Sequence, residues 1–359
     1  MKVAIVGLEQ VGKTSLFGAL TRQPVKVGGY GGENQIAVVE VPDRRIDALI
    51  EMFQPRKQAR ASVQFVDGGG GGTGAGQRFG SQFLQEIRQS DALVAVVRAF
   101  TNPALPEPDG GLDPLRDYRN LEAELILADL DLVEKRLERM EKQDRSKPKS
   151  AQGGLEKDVL LKAQAHLEKE LPLTNLTFTA DEEETIRHLE FVSRKPIVVV
   201  GNISEGDLGG EAPILDPMRA WAERSKTPVV EICAAAEMEV AQLGPEEEAT
   251  FLEALGIAES GRYRLIRTVY ELLGLISFFT VGEDECRAWT IRRGDDAVTA
   301  AGKIHSDLAR GFIRAEVIGY EALLNAGGQK QAKEQGLYRL EGKNYVVQDG
   351  DCLNIRFSV

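Results

Sequence analysis

Apolar residues come in short unbroken runs over much of the chain. The runs are Val3–Val6, Val38–Val41, Val63–Val66, Ala92–Val97, Ile197–Val200 and Val229–Ile232, with segments of helical periodicity between them. A strand covered by helices on both faces reads as such a run, not as an alternation. The pattern predicts an α/β fold, a mostly parallel sheet flanked by helices.

Two stretches depart from this rhythm. Asp117 to Arg145 is charged and helical, and Ile126, Leu130, Val133, Leu137 and Met140 recur at alternating spacings of four and three. That is a coiled-coil seam. Gln152-Gly153-Gly154 reads as a break, and a second helix follows from Leu155 to Leu171 with Leu160, Ala163 and Leu167 on one face. The pair predicts an antiparallel helical arm; a surface insertion without a partner fits the same pattern. His166 reads as solvated or packed. After Leu275, strand-like runs at Ser277–Thr280, Arg287–Ile291, Ala315–Val317, Tyr345–Val347 and Asn354–Phe357 surround one helix, Ala297 to Leu308. This is the size of a small α+β domain, about 80 residues.

With 359 residues and 42% hydrophobic content, two or three domains with real cores are possible. The net charge of −12 argues against a surface built for free DNA, while leaving room for a local basic patch on RNA. Cys233, Cys286 and Cys352 fit no zinc or disulfide spacing, which suits a reducing compartment. The chain opens directly in a strand pattern and holds no apolar run of about 20 residues. The expectation is a soluble, cytoplasmic protein with no membrane partner.

The chemistry begins at Gly7-Leu8-Glu9-Gln10-Val11-Gly12-Lys13-Thr14, a complete G-x-x-x-x-G-K-[ST] loop between a strand and a helix. Backbone N–H groups of such a loop point at nucleotide phosphates. Lys13 would neutralise the β/γ-phosphates, and the Thr14 hydroxyl would ligate Mg²⁺. A second element, Asp67-Gly68-Gly69-Gly70, follows the third strand. There Asp67 would hold Mg²⁺ through water, and the Gly70 N–H would sense the γ-phosphate. Lys13, Asp67 and Gly70 are the catalytic candidates. Thr14 and Asp67 are the metal candidates.

Base recognition is expected at Asn202-Ile203-Ser204-Glu205, after the fifth strand. GTP-specific switch proteins hold Asn-Lys-x-Asp here, and the Asp accepts from guanine N1–H and the 2-amino group. Glu205 and Ile203 depart from that pattern, so the site is not built for strict guanine readout. Cys233-Ala234-Ala235, after the last sheet strand, takes the place of a base-supporting loop. The nucleotide-binding candidates are Gly7, Gln10, Val11, Gly12, Lys13, Thr14, Ser15, Asn202, Ile203, Glu205, Cys233, Ala234 and Ala235. Each of the last two motifs could also be a plain turn.

These segments together resemble the YchF / Obg-like ATPase family over the whole length. Further matches are Val38–Asp43, Phe65-Val66-Asp67, Phe83-Leu84, Ile87-Arg88, Arg287–Ile291, Ala301–Asp307, Gly311–Val317 and Val347–Asp351. The resemblance implies a G domain over 1–116 and 190–276, a helical coiled-coil insertion over 117–189, and a TGS-like β-grasp domain over 277–359. It also implies preference for ATP over GTP, Mg²⁺ dependence and association with the ribosome or its RNA.

Several positions depart from the family's pattern. Its phosphate loop carries Pro-Asn where Glu9 and Gln10 stand, so Mg²⁺ is expected and potassium is doubtful. Its switch I Thr aligns with Gly31, and no Ser or Thr occurs between Thr21 and Ser62; Tyr30 or Glu33 could substitute. Its bulky residue after D-x-x-G is Gly71, within a glycine run over 68–76 expected to be disordered without ligand. Thr73 and Gln77 are candidates to position water. Two readings follow: a switch that slowly hydrolyses ATP, or a nucleotide-binding scaffold that has lost turnover. A metabolite kinase would need a lid and an acceptor pocket, and no segment suggests either. In the C-terminal region, Arg287, Arg292, Arg293, Lys303, Arg310 and Arg314 lie near Trp289 and Phe312. They read either as an RNA-facing surface or as core aromatics with solvated arginines. His305 reads as structural.

Overall fold

The computed structural model describes residues 1–22, 35–68, 79–144, 151–210 and 212–358. In chain order the first elements are β1 (Lys2–Val6), α1 (Lys13–Thr21), β2 (Gln35–Glu40), α2 (Arg44–Phe53), β3 (Lys57–Ala59), β4 (Ser62–Asp67), α3 (Ser81–Arg88) and β5 (Ala92–Ala99). The middle of the chain forms α4 (Pro114–Asp144), α5 (Ala151–Leu167), α6 (Ala180–Ile186), β6 (Ile197–Ile203), α7 (Asp216–Ser225), β7 (Val229–Ile232), α8 (Ala234–Val240), α9 (Pro245–Ala254) and α10 (Gly261–Leu272). The remainder forms β8 (Leu275–Thr280), β9 (Glu285–Arg292), α11 (Ala297–Ile304), α12 (Ser306–Arg310), β10 (Phe312–Gly319), α13 (Tyr320–Ala326), α14 (Gln329–Glu334), β11 (Arg339–Glu341) and β12 (Asp351–Phe357). Contacts divide the chain into two compact units: Met1–Ala37 with Gln64–Arg264, and Val38–Val63 with Leu265–Val359.

The first unit is built on a sheet of order β2-β4-β1-β5-β6-β7. The pairs from β4 through β7 are parallel, as the apolar runs predict. Every residue of β5 is buried, which explains its unbroken apolar character.

The arm belongs to this unit. α4 has 31 residues and so runs about 45 Å. Ile126, Val133 and Leu137 share one buried cluster with Val159, Leu160, Ala163 and Leu167 of α5; Leu130 and Met140 pack against it half-buried. Arg136, late in α4, donates to Glu156, early in α5, at 2.8 and 3.1 Å. The two helices therefore run antiparallel. The expected break does not fall at Gln152-Gly153-Gly154, because those residues are helical within α5. Each glycine costs only about 1 kcal/mol relative to alanine in a helix, which the packing of α5 on α4 outweighs. The helix ends at Leu167, before Glu170 turns to a positive φ of 58°.

The second unit holds a mixed sheet of order β11-β10-β12-β8-β9-β3. One face packs on α11 through Phe278, Ile291, Ala300, Val317 and Leu353. The segment 38–63 contributes β3, which pairs in parallel with β9, and α2. Asp43 caps α2 by accepting from the Arg45 N–H at 2.9 Å. Arg45 then reaches Asp349 at 3.0 Å and lies over the Phe279 and Tyr320 rings.

Two expectations in this unit need correction. The helix expected over Ala297 to Leu308 is two helices, because His305 adopts extended φ/ψ of −162° and 143°. Its Nδ1 accepts from the Asp307 N–H at 3.2 Å, which caps α12. Tyr345–Val347 is not a strand but makes one isolated bridge, Asp296 to Val346. The edge beside β10 is taken by β11 instead.

Candidate functional site

The phosphate loop runs from the end of β1 to the start of α1. Gln10 sits at φ 60° and Gly12 at φ 94°. A left-handed residue at the helix entrance lets the chain turn tightly enough to aim successive N–H groups inward. A Cβ on Gly12 would also overlap Asn202 Nδ2. Glu9 and Gln10 are exposed, so the Glu9 carboxylate is free to turn to solvent. Val11 is buried, and Ser15 is half-buried behind Thr14.

Lys13 Nζ donates to the Gly7 and Leu8 carbonyls at 2.9 and 2.6 Å. Its ammonium is thus folded over the loop that a phosphate would enter. Burial pushes its pKa down, against the opposing pull of Asp67 and Glu9. Thr14 Oγ1 donates to Asp67 Oδ2 at 3.1 Å. Asp67, at the end of β4, is 2% exposed. The two metal candidates therefore meet. Among the described residues no cluster of three or more His, Cys, Asp or Glu forms a metal site. A hard cation here would take the Thr14 and Asp67 oxygens and complete its shell from phosphate and water.

Asn202 lies at the end of β6 and is 5% exposed. Its Nδ2 donates to the Val11 carbonyl at 2.9 Å, and its Oδ1 accepts from the Ala234 N–H at 3.0 Å. One amide thereby ties together the phosphate loop, the end of β6 and the Cys233-Ala234-Ala235 turn. Glu205 is exposed at the start of a single 3₁₀ turn. Cys233 is the N-cap of α8 and is buried, which pushes its thiol pKa up; Ala234 is buried and Ala235 exposed. Ile203 belongs elsewhere. It is 6% exposed and part of the sheet core, so its side chain does not face a base. Gly70 lies outside the described residues, as do Tyr30, Gly31, Glu33, Gly71, Thr73, Gln77 and most of the 68–76 run.

The sequence pattern missed Phe100. It is half-buried, and its ring edge comes within 4.0 Å of where a Gly12 Cβ would be. Arg98 stacks over this ring at 5.1 Å and donates to the Phe100 and Pro106 carbonyls at 3.2 and 3.1 Å. The available signal was a buried arginine ending an apolar strand, in register with Asn202. The C-terminal aromatics do not form an open platform: Phe312 is core, and Trp289 packs against the core under Arg287 at 4.2 Å.

A mostly parallel sheet with this loop between β1 and α1, and an aspartate beside the loop threonine, defines a P-loop NTPase of the switch type. A family described as 50S ribosome-binding GTPase matches residues 2–148, and the YchF-GTPase C-terminal family, described as of unknown function, matches residues 275–358. The chain belongs to the YchF family. It is 41% identical over 366 residues to the ribosome-binding ATPase YchF of Bacillus subtilis, covering 100% of both chains. It is 40% identical to the namesake of Haemophilus influenzae over 363 residues, covering 100% of this chain and 99% of the other. The solved YchF GTPase of Schizosaccharomyces pombe superposes with a TM-score of 0.86 at 30% identity, over 99% of this chain and 97% of that one.

Proposed function

We propose that the protein is an ATP-binding switch that hydrolyses ATP slowly with Mg²⁺ and acts on the ribosome in the cytoplasm. The observation that carries the reading is the convergence of Lys13, Thr14, Asp67 and Asn202 on one loop. On phosphate entry Lys13 exchanges its two carbonyl acceptors for phosphate oxygens. Thr14 and Asp67 would hold the cation, which would supply charge neutralisation at the transferring phosphoryl group. Lys13 stabilises the same charge, and water attacks the γ-phosphate. The buried amide of Asn202 keeps the loop and the base-side turn in one geometry. Glu205 replaces the shorter aspartate of strict guanine sites, and Phe100 offers an apolar face beside Gly12. The Glu205 replacement loosens guanine readout, which leaves adenine the better fit; the Phe100 face would serve either purine. The ribosomal partner rests on the names of the relatives.

The test is phosphate release with ATP and GTP, with and without ribosomes, beside nucleotide affinity. ATP turnover above a Lys13→Ala control, raised by ribosomes, supports the switch. Tight ATP binding with turnover equal to that control would leave a scaffold. GTP bound as tightly as ATP would overturn the base preference.

A further inference from the structure

We infer that α3 is a strut that carries the state of the nucleotide site to the root of the helical arm, through an ion pair between Arg88 and the buried Asp129. The strut is anchored at both ends. At one end Asp67 accepts from Thr14, and Gly68 follows it directly. Gly68 lies so close to the Phe83 ring of α3 that a Cβ there would overlap it. A shift of Asp67 and Gly68 is therefore felt by Phe83. α3 has eight residues, so it spans about 12 Å, and Phe83 and Ile87 seat it in the sheet core.

At the other end Arg88, its last residue, donates to Asp129 Oδ1 at 3.2 Å and to the Ala128 carbonyl at 3.2 Å, both on α4. Asp129 is fully buried. It also accepts from the Val192 N–H at 3.1 Å, the Ser193 N–H at 2.7 Å and Ser193 Oγ at 2.8 Å. Lys195 holds the end of the strut by donating to the Arg88 and Ser90 carbonyls at 2.6 and 2.5 Å. One carboxylate thus joins α3, α4 and the 192–195 turn. Burying a carboxylate behind an ion pair is a poor way to gain stability, since apolar side chains of similar size do as well. It is a good way to set the position of one element against another. A packed helix with a directional pin transmits a shift as a step, not as a smooth deformation.

The inference rests on nucleotide entering the phosphate loop. It is tested by amide hydrogen exchange on the full chain, with and without ATP and Mg²⁺, with ATP affinity measured calorimetrically on the same samples. In the wild type, nucleotide should change exchange in α3, in α4 near 125–133 and in the 189–195 segment by about fivefold or more. In Asp129→Asn, which keeps the size and one acceptor oxygen, α3 should respond as before. The arm root should change by less than about twofold. Arg88→Lys keeps the charge but loses the planar fork, and decides the question should Asp129→Asn fold poorly. An arm root that responds as in the wild type in the folded variant overturns the inference. So does a wild-type arm root that stays silent while α3 responds. Absence of ATP binding to the wild type would instead overturn the proposed function.

Discussion

Gly12 and Asn202 are the two residues on which the nucleotide site turns. Gly12→Ala combines a left-handed backbone with a clash against the Asn202 amide. Strain of this kind costs about 1–3 kcal/mol, so a lower Tm and loss of measurable ATP binding are expected by melting and calorimetry. Asn202→Ala leaves the Val11 carbonyl and the Ala234 N–H without their partner. Each buried unsatisfied group costs about 1–3 kcal/mol, which urea titration should resolve. Lys13→Ala should weaken ATP binding by about 1.5–3 kcal/mol, the worth of a hydrogen bond to a charged group. At this scale the loop was legible because its glycines and Lys-Thr pair answer to backbone geometry and charge. Ile203 and Phe100 were not. Motif position alone cannot say whether a side chain at a strand end turns into the core or toward a ligand.

The arm shows what periodicity can and cannot do for an element. The seam residues Val133, Leu160 and Leu167 are buried as their spacing requires. Leu160→Ala should cost about 2–5 kcal/mol of arm stability, read as faster hydrogen exchange in α4 and α5. Glu182 closes a capping box with Thr179 at the start of α6 and accepts from Lys162 of α5 at 3.0 Å. The Thr179 N–H, then Lys162, hold its carboxyl below the usual value of 4.5. The unfolded chain therefore binds the extra proton as pH falls, and the contribution is full above the ordinary carboxylate range and fades below it. Glu182→Gln should flatten that part of the acid limb in a melting series; an unchanged limb would assign it to other carboxylates. The Gly153-Gly154 pair misled because glycine only weakens a helix, by about 1 kcal/mol per residue, and the seam against α4 outweighs that.

For the whole molecule, the grouping of 38–63 with the C-terminal residues decides how the chain can be cut. Ile46 and Leu49 of α2 are fully buried, and α2 packs beside β9 and α13. Removing residues after 276 should uncover that face, lowering Tm and raising light scattering. A 1–276 fragment as stable as the whole chain would refute this. Charge is divided as well: the second unit carries 17 Lys and Arg against 17 Asp and Glu, so the net −12 resides in the first. If the proposed ribosome association runs through this neutral unit, repulsion from the polyanionic RNA is small there, and co-sedimentation with ribosomes should fall between low and moderate salt and be lost with the unit. The α/β class, the phosphate loop and the coiled-coil seam were decided by the sequence alone, because each is set by local periodicity or by backbone chemistry within a few residues. The meeting of Asp67 with Thr14, the bridge made by Asn202, the buried Asp129 and the placement of α2 were decided only by the tertiary structure. Each joins segments far apart in the chain, and nothing local in a sequence records which distant carboxylate, amide or helix face will complete a buried group.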